Sequence, residues 1–556
     1  MILMPSDLWQ WRNPLPQGNA LRNVAFGNDR YIAVGSYGTI LLSMDGINWT
    51  IQNSGVNTYL TGITFGNGMF VAVGMLGMIL TSEDGENWTK QNSGGDFWID
   101  AVTFGNGKFI AVGQRGIILT SSNGREWSNR QISAYWLSGV VYGNGLFVAV
   151  GMDGRIFTST EGREWTDRGT YTSYRLSSVA FGEDQFVAVG YGGVILTSPD
   201  GIEWTSRNSN THAGLEDVAY GQGLFVVVGR EDTNGGVVLT SDKGVDWSSD
   251  SSQEYGLLLG VAYQGGQFVA VGQGGIIMTS PTGANWTMRS SGWYETLRGI
   301  SYGGAKFVAV GEKGRILTSP QGREWQPQNS GTDKILYAVD FAARTYVAVG
   351  ENGTVLTSPD AMRWTERSLE PNNNLYAVAY GQGEFIAVGQ KGIILISPDG
   401  SDWRLQSSGI SSDLLSVTYG AGLFVAVGDN GAILTSDDGE SWTKQDSGSN
   451  WHMIQDVVYG NSLFVAVGDL GLILTSPDAV SWTERSAGEP AWWRSVLYGR
   501  DIYLAVGNPG MAAISTDGEN WQSQTTVTDA YLYAVANDMN YFVAVGDQGT
   551  IIQSGM

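Results

Sequence analysis

Chemistry in this chain has to come from carboxylates, arginines and aromatic rings. There is no cysteine, which excludes disulfides, thiolate metal sites and Cys nucleophiles together. The two histidines, His212 and His452, stand in different connections, so no pair is at hand to share a metal, and no cofactor or metal is expected. Aromatics are plentiful, with 21 tryptophans. Fourteen of them hold one fixed place in a repeat: Trp11, Trp49, Trp88, Trp127, Trp165, Trp204, Trp247, Trp286, Trp325, Trp364, Trp403, Trp442, Trp482 and Trp521. A large ring at one place per module reads as a structural wedge between modules. Seven remain: Trp9, Trp98, Trp136, Trp293, Trp451, Trp492 and Trp493. The residue just before the first strand of a module is aromatic at Tyr59, Trp98, Trp136, Trp492 and Tyr531, with Phe97 and Tyr135 adjacent. Adding Trp293, Tyr294, Trp451 and Trp493 completes the expected binding set. Such rings stack on sugar faces or anchor a peptide, and the same rings could instead brace a closure.

The carboxylates carry less. Asp recurs in one turn of the module at 45, 84, 200, 360, 399, 438, 478 and 517, where five other copies hold Asn123, Glu161, Lys243, Thr282 and Gln321. Lys or Thr would destroy a metal site but only weaken a turn, so these side chains are expected to cap their own turn. Arg22, Arg298 and Arg494 share one position of the first strand, in modules 1, 8 and 13. No residue is singled out as catalytic. A glycosidase would need two carboxylates facing each other across about 5–9.5 Å.

The elements that position these side chains are written into an internal repeat. Residues 414–447, LLSVTYGAGLFVAVGDNGAILTSDDGESWTKQDS, closely match 60–93, LTGITFGNGMFVAVGMLGMILTSEDGENWTKQNS. The Gly that closes the F-V-A-V-G stretch occurs fourteen times from Gly35 to Gly546, mostly 39 residues apart. The wide gap, Gly229 to Gly272, is 43 residues and takes its extra length in the loop from Arg230 to Gly235. Each module reads as four short strands joined by tight glycine turns, which is hairpin chemistry. Strands this short must stack sheet on sheet to be buried. Four-stranded antiparallel units at about 40 residues predict an all-β β-propeller. The last module stops at Ser554, before its Trp strand, and Trp9-Gln10-Trp11 supplies the missing strand at the other end. The N-terminal strand is therefore expected to close blade 14.

At its third turn the text, Ser43-Met44-Asp45-Gly46-Ile47-Asn48-Trp49, resembles the Asp-box or BNR propellers, one residue shorter than their usual S-x-D-x-G-x-x-W. That group takes in sialidases, sortilin-type receptors and photosystem II assembly-factor-like proteins. The resemblance spans the chain and implies a propeller; it implies no single activity. Single rings of four to eight blades are the rule, which favours two seven-bladed rings: residues 12–289, and 290–556 with 1–11. The alternative is one ring over 1–556.

Composition limits the partners. Net charge is −23, from 31 basic and 54 acidic residues, which repels phosphate backbones and anionic lipid heads, so nucleic acid is not expected. Aromatics at 11% and charge at only 15% exclude acidic disorder. The first residues carry no basic-then-apolar signal, and no apolar run reaches membrane-helix length, so no membrane insertion is expected and the compartment stays open. The expectation is a non-enzymatic scaffold that binds a protein or peptide through the aromatic face. Lectin-like binding of neutral glycans is the alternative, and a glycoside hydrolase ranks below both.

Overall fold

The computed structural model describes residues 9–231, 235–249, 256–264, 266–290, 292, 295–367, 372–448, 452–488, 491–538 and 540–554. The described chain is all-β and forms fourteen four-stranded antiparallel sheets, thirteen of them from consecutive strands. The fourteenth is built from both ends: Trp9–Asn13 pairs with Ile551–Ser554, with Trp9 opposite Ser554 and Trp11 opposite Ile552. Arg12 Nε donates to Gln553 Oε1 at 2.8 Å, and Asn13 Nδ2 donates to the Gly549 carbonyl at 2.6 Å. The N-terminal strand thus covers an edge that would otherwise present unpaired backbone.

The chain divides into two compact units, Pro16–Ser291, and Met1–Leu15 with Gly292–Met556. In the first unit, hydrophobic residues of blade 1, Leu21, Tyr31 and Trp49, pack against Val269, Val271 and Ile277 of blade 7. In the second, Leu297, Phe307 and Trp325 of blade 8 pack against Val543, Val545 and Ile551 of blade 14.

Two details explain why this sequence stacks. Repeat tryptophans pack into the seam with the preceding blade, as Trp88 does against Ile32 and Val34. In the thirteen copies from Trp49 to Trp521 the indole N–H donates to the glycine or alanine carbonyl three residues earlier, 3.0 Å in Trp49–Gly46. The second detail is a socket. The Gly ending an inner strand lies against the aromatic ring of the next blade. A Cβ on Gly66 would fall 2.0 Å from Phe104 Cγ, and one on Gly105 would fall 2.2 Å from Tyr142 Cγ. At these glycines the missing Cβ is what leaves room for the ring.

The acid of the third turn is absorbed by its own backbone. Asp45 Oδ1 accepts from the N–H groups of Ile47 and Asn48 at 2.8 and 2.7 Å, and Ser43 Oγ accepts from Gly46 N at 2.8 Å. Asn123 does the same for Arg125 and Glu126, both at 2.9 Å. These bonds hold the Asp45 carboxyl down at about 2, with the Asn48 N–H the leading cause.

Candidate functional site

One position of the module is built to point a side chain inward. In every inner strand the register with its neighbour slips once, between the position usually held by leucine and the residue two further on, as at Ile99/Ala101 and Trp493/Ser495. The second residue is the one left over. A bulge of this kind unpairs a residue and re-aims its side chain. In the Pro16–Ser291 unit the bulge residues are Arg22, Thr61, Asp100, Ser138, Ser177, Glu216 and Leu259, and all seven line one cavity of about 290 Å³. In the Gly292–Met556 unit they are Arg298, Tyr337, Tyr376, Leu415, Gln455, Arg494 and Tyr533, and all seven line a second cavity of about 500 Å³.

The first cavity is the more polar. Asp100 sits in it with Arg22, Arg175 and Glu216. Burial pushes the Asp100 carboxyl up to about 7, against the pull of the nearby Arg175 and Arg22 charges. Trp136, on the next blade, donates its indole N–H to Asp100 Oδ2. Trp98 stands edge-on to Trp136, with centroids 5.5 Å apart at 85°, and is 37% exposed. Arg175 Nε donates to Ser138 Oγ at 2.9 Å. Glu216 is ion-paired with Arg230, Nε to Oε1 at 2.9 Å. Next to it, Asp217 is a structural clamp. It accepts from Ser178 Oγ at 2.6 Å and from the N–H groups of Val218 and Val261 at 2.9 Å, so one carboxylate ties three successive blades. Asp456 repeats the clamp in the other unit with Ser416, Val457 and Val496.

The aromatics expected from sequence fall into different environments. Tyr59, Trp98 and Trp136 belong to the Pro16–Ser291 unit, and Trp492 and Tyr531 to the other, so each unit carries its own group. Phe97 is partly buried against the core of blade 3. Tyr135 lies under the Arg155 guanidinium, 4.6 Å from its ring centroid, and Tyr59 is half-buried. Trp492 and Tyr531 are 50% and 47% exposed. Trp493 requires correction: it takes the place of the first-strand leucine, pairs with Gly507 and is fully buried, so it has no face to offer a ligand. Trp293, Tyr294 and Trp451 lie outside the described residues. Sequence reasoning missed the bulge acids Asp100 and Glu216. This position does change chemistry from copy to copy, from arginine to carboxylate to tyrosine, but so do its neighbours in the strand, so the sequence did not single it out.

Comparison with known proteins places the fold. The profile of one family, described as photosynthesis system II assembly factor YCF48, matches residues 317–463. No curated protein matches the chain significantly in sequence. Solved structures match over nearly the whole chain. An ancestral GH74 enzyme aligns at TM-score 0.67 and 13% identity, covering 99% of each chain. The GH74 xyloglucanase from Xanthomonas campestris aligns at TM-score 0.65 and 14% identity, covering 99% of this chain and 100% of that one. PorZ, a surface component of the type-IX secretion system of Porphyromonas gingivalis, aligns at 0.66 and 11%, covering 99% and 87%. At these identities the likeness is one of fold. It corrects the expectation of a non-enzymatic scaffold: the architecture of the entire chain is one that GH74 enzymes use. No helix among the described residues is long and apolar enough to cross a membrane.

Proposed function

We propose that the chain is a glycoside hydrolase acting on a polysaccharide, with its acid chemistry in the cavity of the Pro16–Ser291 unit. The observation that carries the reading is Asp100. Its carboxyl is held at about 7 by burial, and its neighbour Trp136 packs on an exposed tryptophan face at Trp98. Glycoside cleavage uses two carboxyl groups in different protonation states, one protonating the leaving oxygen and one acting as base or nucleophile. Environments that separate two carboxyl groups assign those roles. Asp100 is the acid in this reading, and Glu216, ion-paired with Arg230 and lining the same cavity, is the second carboxylate. Trp98 is the stacking platform for a sugar ring.

Each unit is further proposed to be a closed ring of seven blades. The packing of blade 1 on blade 7, and of blade 8 on blade 14, supports that arrangement. A ring brings one bulge residue per blade to its axis, which accounts for seven bulge residues around each cavity. The full-length likeness to GH74 enzymes supports the choice of xyloglucan as first substrate.

The test is release of soluble saccharides from xyloglucan and from other β-glucans by the purified full chain. Activity that falls by about two orders of magnitude or more in both Asp100→Asn and Glu216→Gln supports the assignment. Activity untouched by either substitution removes it.

A further inference from the structure

The cavity of the Gly292–Met556 unit differs in kind from its counterpart. Both cavities are lined by two arginines, Arg22 and Arg175 in the first and Arg298 and Arg494 in the second; where the first adds Asp100, Glu216, serines and a threonine, the second adds Tyr337, Tyr376, Tyr533 and Gln455. The remaining lining combines alanines and valines with Ser416, Ser495 and the carboxyl groups of Asp340 and Asp456, both of which burial pushes up towards the neutral form. The hydroxyl of Ser416, which also lines it, is committed to Asp456. What sets this cavity apart from the first is its three tyrosine rings. Tyr337 and Tyr376 meet edge to face at 5.2 Å and 75°.

The two arginines are not equivalent. Arg298 is committed: its Nη2 bonds Glu312 Oε1 at 2.8 Å, and its guanidinium lies over Tyr533 at 4.4 Å. Arg494 has no carboxylate partner among the described residues. The Nε of both arginines is buried without a hydrogen-bond acceptor, so the difference lies in the missing carboxylate; the Arg494 guanidinium is held 5.9 Å from the ring centroid of Trp492. A planar guanidinium is matched by a carboxylate, which it binds through two parallel N–H bonds. A buried unpaired donor carries a desolvation cost that such a ligand would relieve.

We propose that this cavity is a binding site for a small aromatic carboxylate, with Arg494 taking the carboxylate and the Tyr337–Tyr376 pair taking the ring. The site is separate from the proposed hydrolytic one, and its test does not depend on hydrolysis.

The experiment is calorimetric titration of the full chain with 4-hydroxybenzoate, its methyl ester and glucuronate. The acid should bind, with the ester and glucuronate each at least about tenfold weaker. Arg494→Gln should weaken the acid about tenfold and leave the ester unchanged. Asp100→Asn should leave all three as in the wild type. If the Gln variant does not fold, as judged by circular dichroism, Arg494→Lys keeps the charge but loses the fork and should weaken the acid several-fold. Equal binding of acid and ester, glucuronate binding as tight as the aromatic acid, no binding of any of the three, or an Arg494 variant that binds like wild type would each overturn the proposal.

Discussion

The indole N–H of Trp136 crosses from one blade to the Asp100 carboxylate of the blade before it. This bond links an aromatic that the repeat does not explain to an acid at the bulge position. It stabilises the ionised form of Asp100, opposing the burial that raises the group to about 7. Trp136→Phe keeps the ring and its packing on Trp98 but deletes the donor. The Asp100 titration should then move further up, and hydrolysis should fall by about tenfold or more. The pH–rate profile checks this. An unchanged profile would show that the bond does not tune the acid.

Asp217 binds three blades through one side chain. Asp217→Ala strands the N–H groups of Val218 and Val261, at a cost of about 2–4 kcal/mol. Asp217→Asn keeps one acceptor oxygen and should fall between alanine and wild type. Denaturant unfolding measures both. A midpoint unchanged by alanine would show that the blades are held without the clamp.

Burial raises the Asp100, Asp217 and Asp340 carboxyl groups to about 7, 6 and 6, above the ordinary 3.8. A carboxyl raised in the folded state favours folding most where it stays protonated in both states, below its unfolded value, and that contribution is lost as pH rises through the folded value. Thermal stability should therefore climb as pH is lowered from about 8 to about 4. High salt during the measurement suppresses the separate effect of net charge. Asp340→Asn should flatten part of the climb. A melting temperature that falls over this range would contradict the assignment.

Among the described residues, strand Trp9–Asn13 is the one cover for Ile551–Ser554 on its outer side. Deleting residues 1–13 should expose that edge, together with the core around Leu504, Phe542 and Ile552 that Trp9 and Trp11 seal. Light scattering should show aggregation, and the melting transition should broaden. A monomer that melts as sharply as the intact chain would show that the closing strand is dispensable.

Much of the fold was legible because the repeat states its own constraints: a Trp for each seam, glycines for the turns and an end that lacks one strand. The inner-strand glycine, by contrast, reads as turn chemistry in sequence and proves to be a socket for the next blade's ring, a contact between modules that no single module reveals. The candidate site was less legible for a related reason. A β-bulge is set by pairing between two strands, so nothing in L-x-x-V marks its first variable residue as the inward one. Aromatics are conspicuous in sequence, yet Trp493 is conspicuous and wholly structural, whereas Asp100 is inconspicuous and sits at the cavity.

The most direct test of the central claim is product release from xyloglucan by wild-type protein and by Asp100→Asn, followed by mass spectrometry of the soluble saccharides. The account predicts oligosaccharides from the wild type and a loss of about a hundredfold or more in the variant, with the melting temperature preserved or raised. No cleavage by the wild type of any β-glucan tried, or equal cleavage by both proteins, would contradict it.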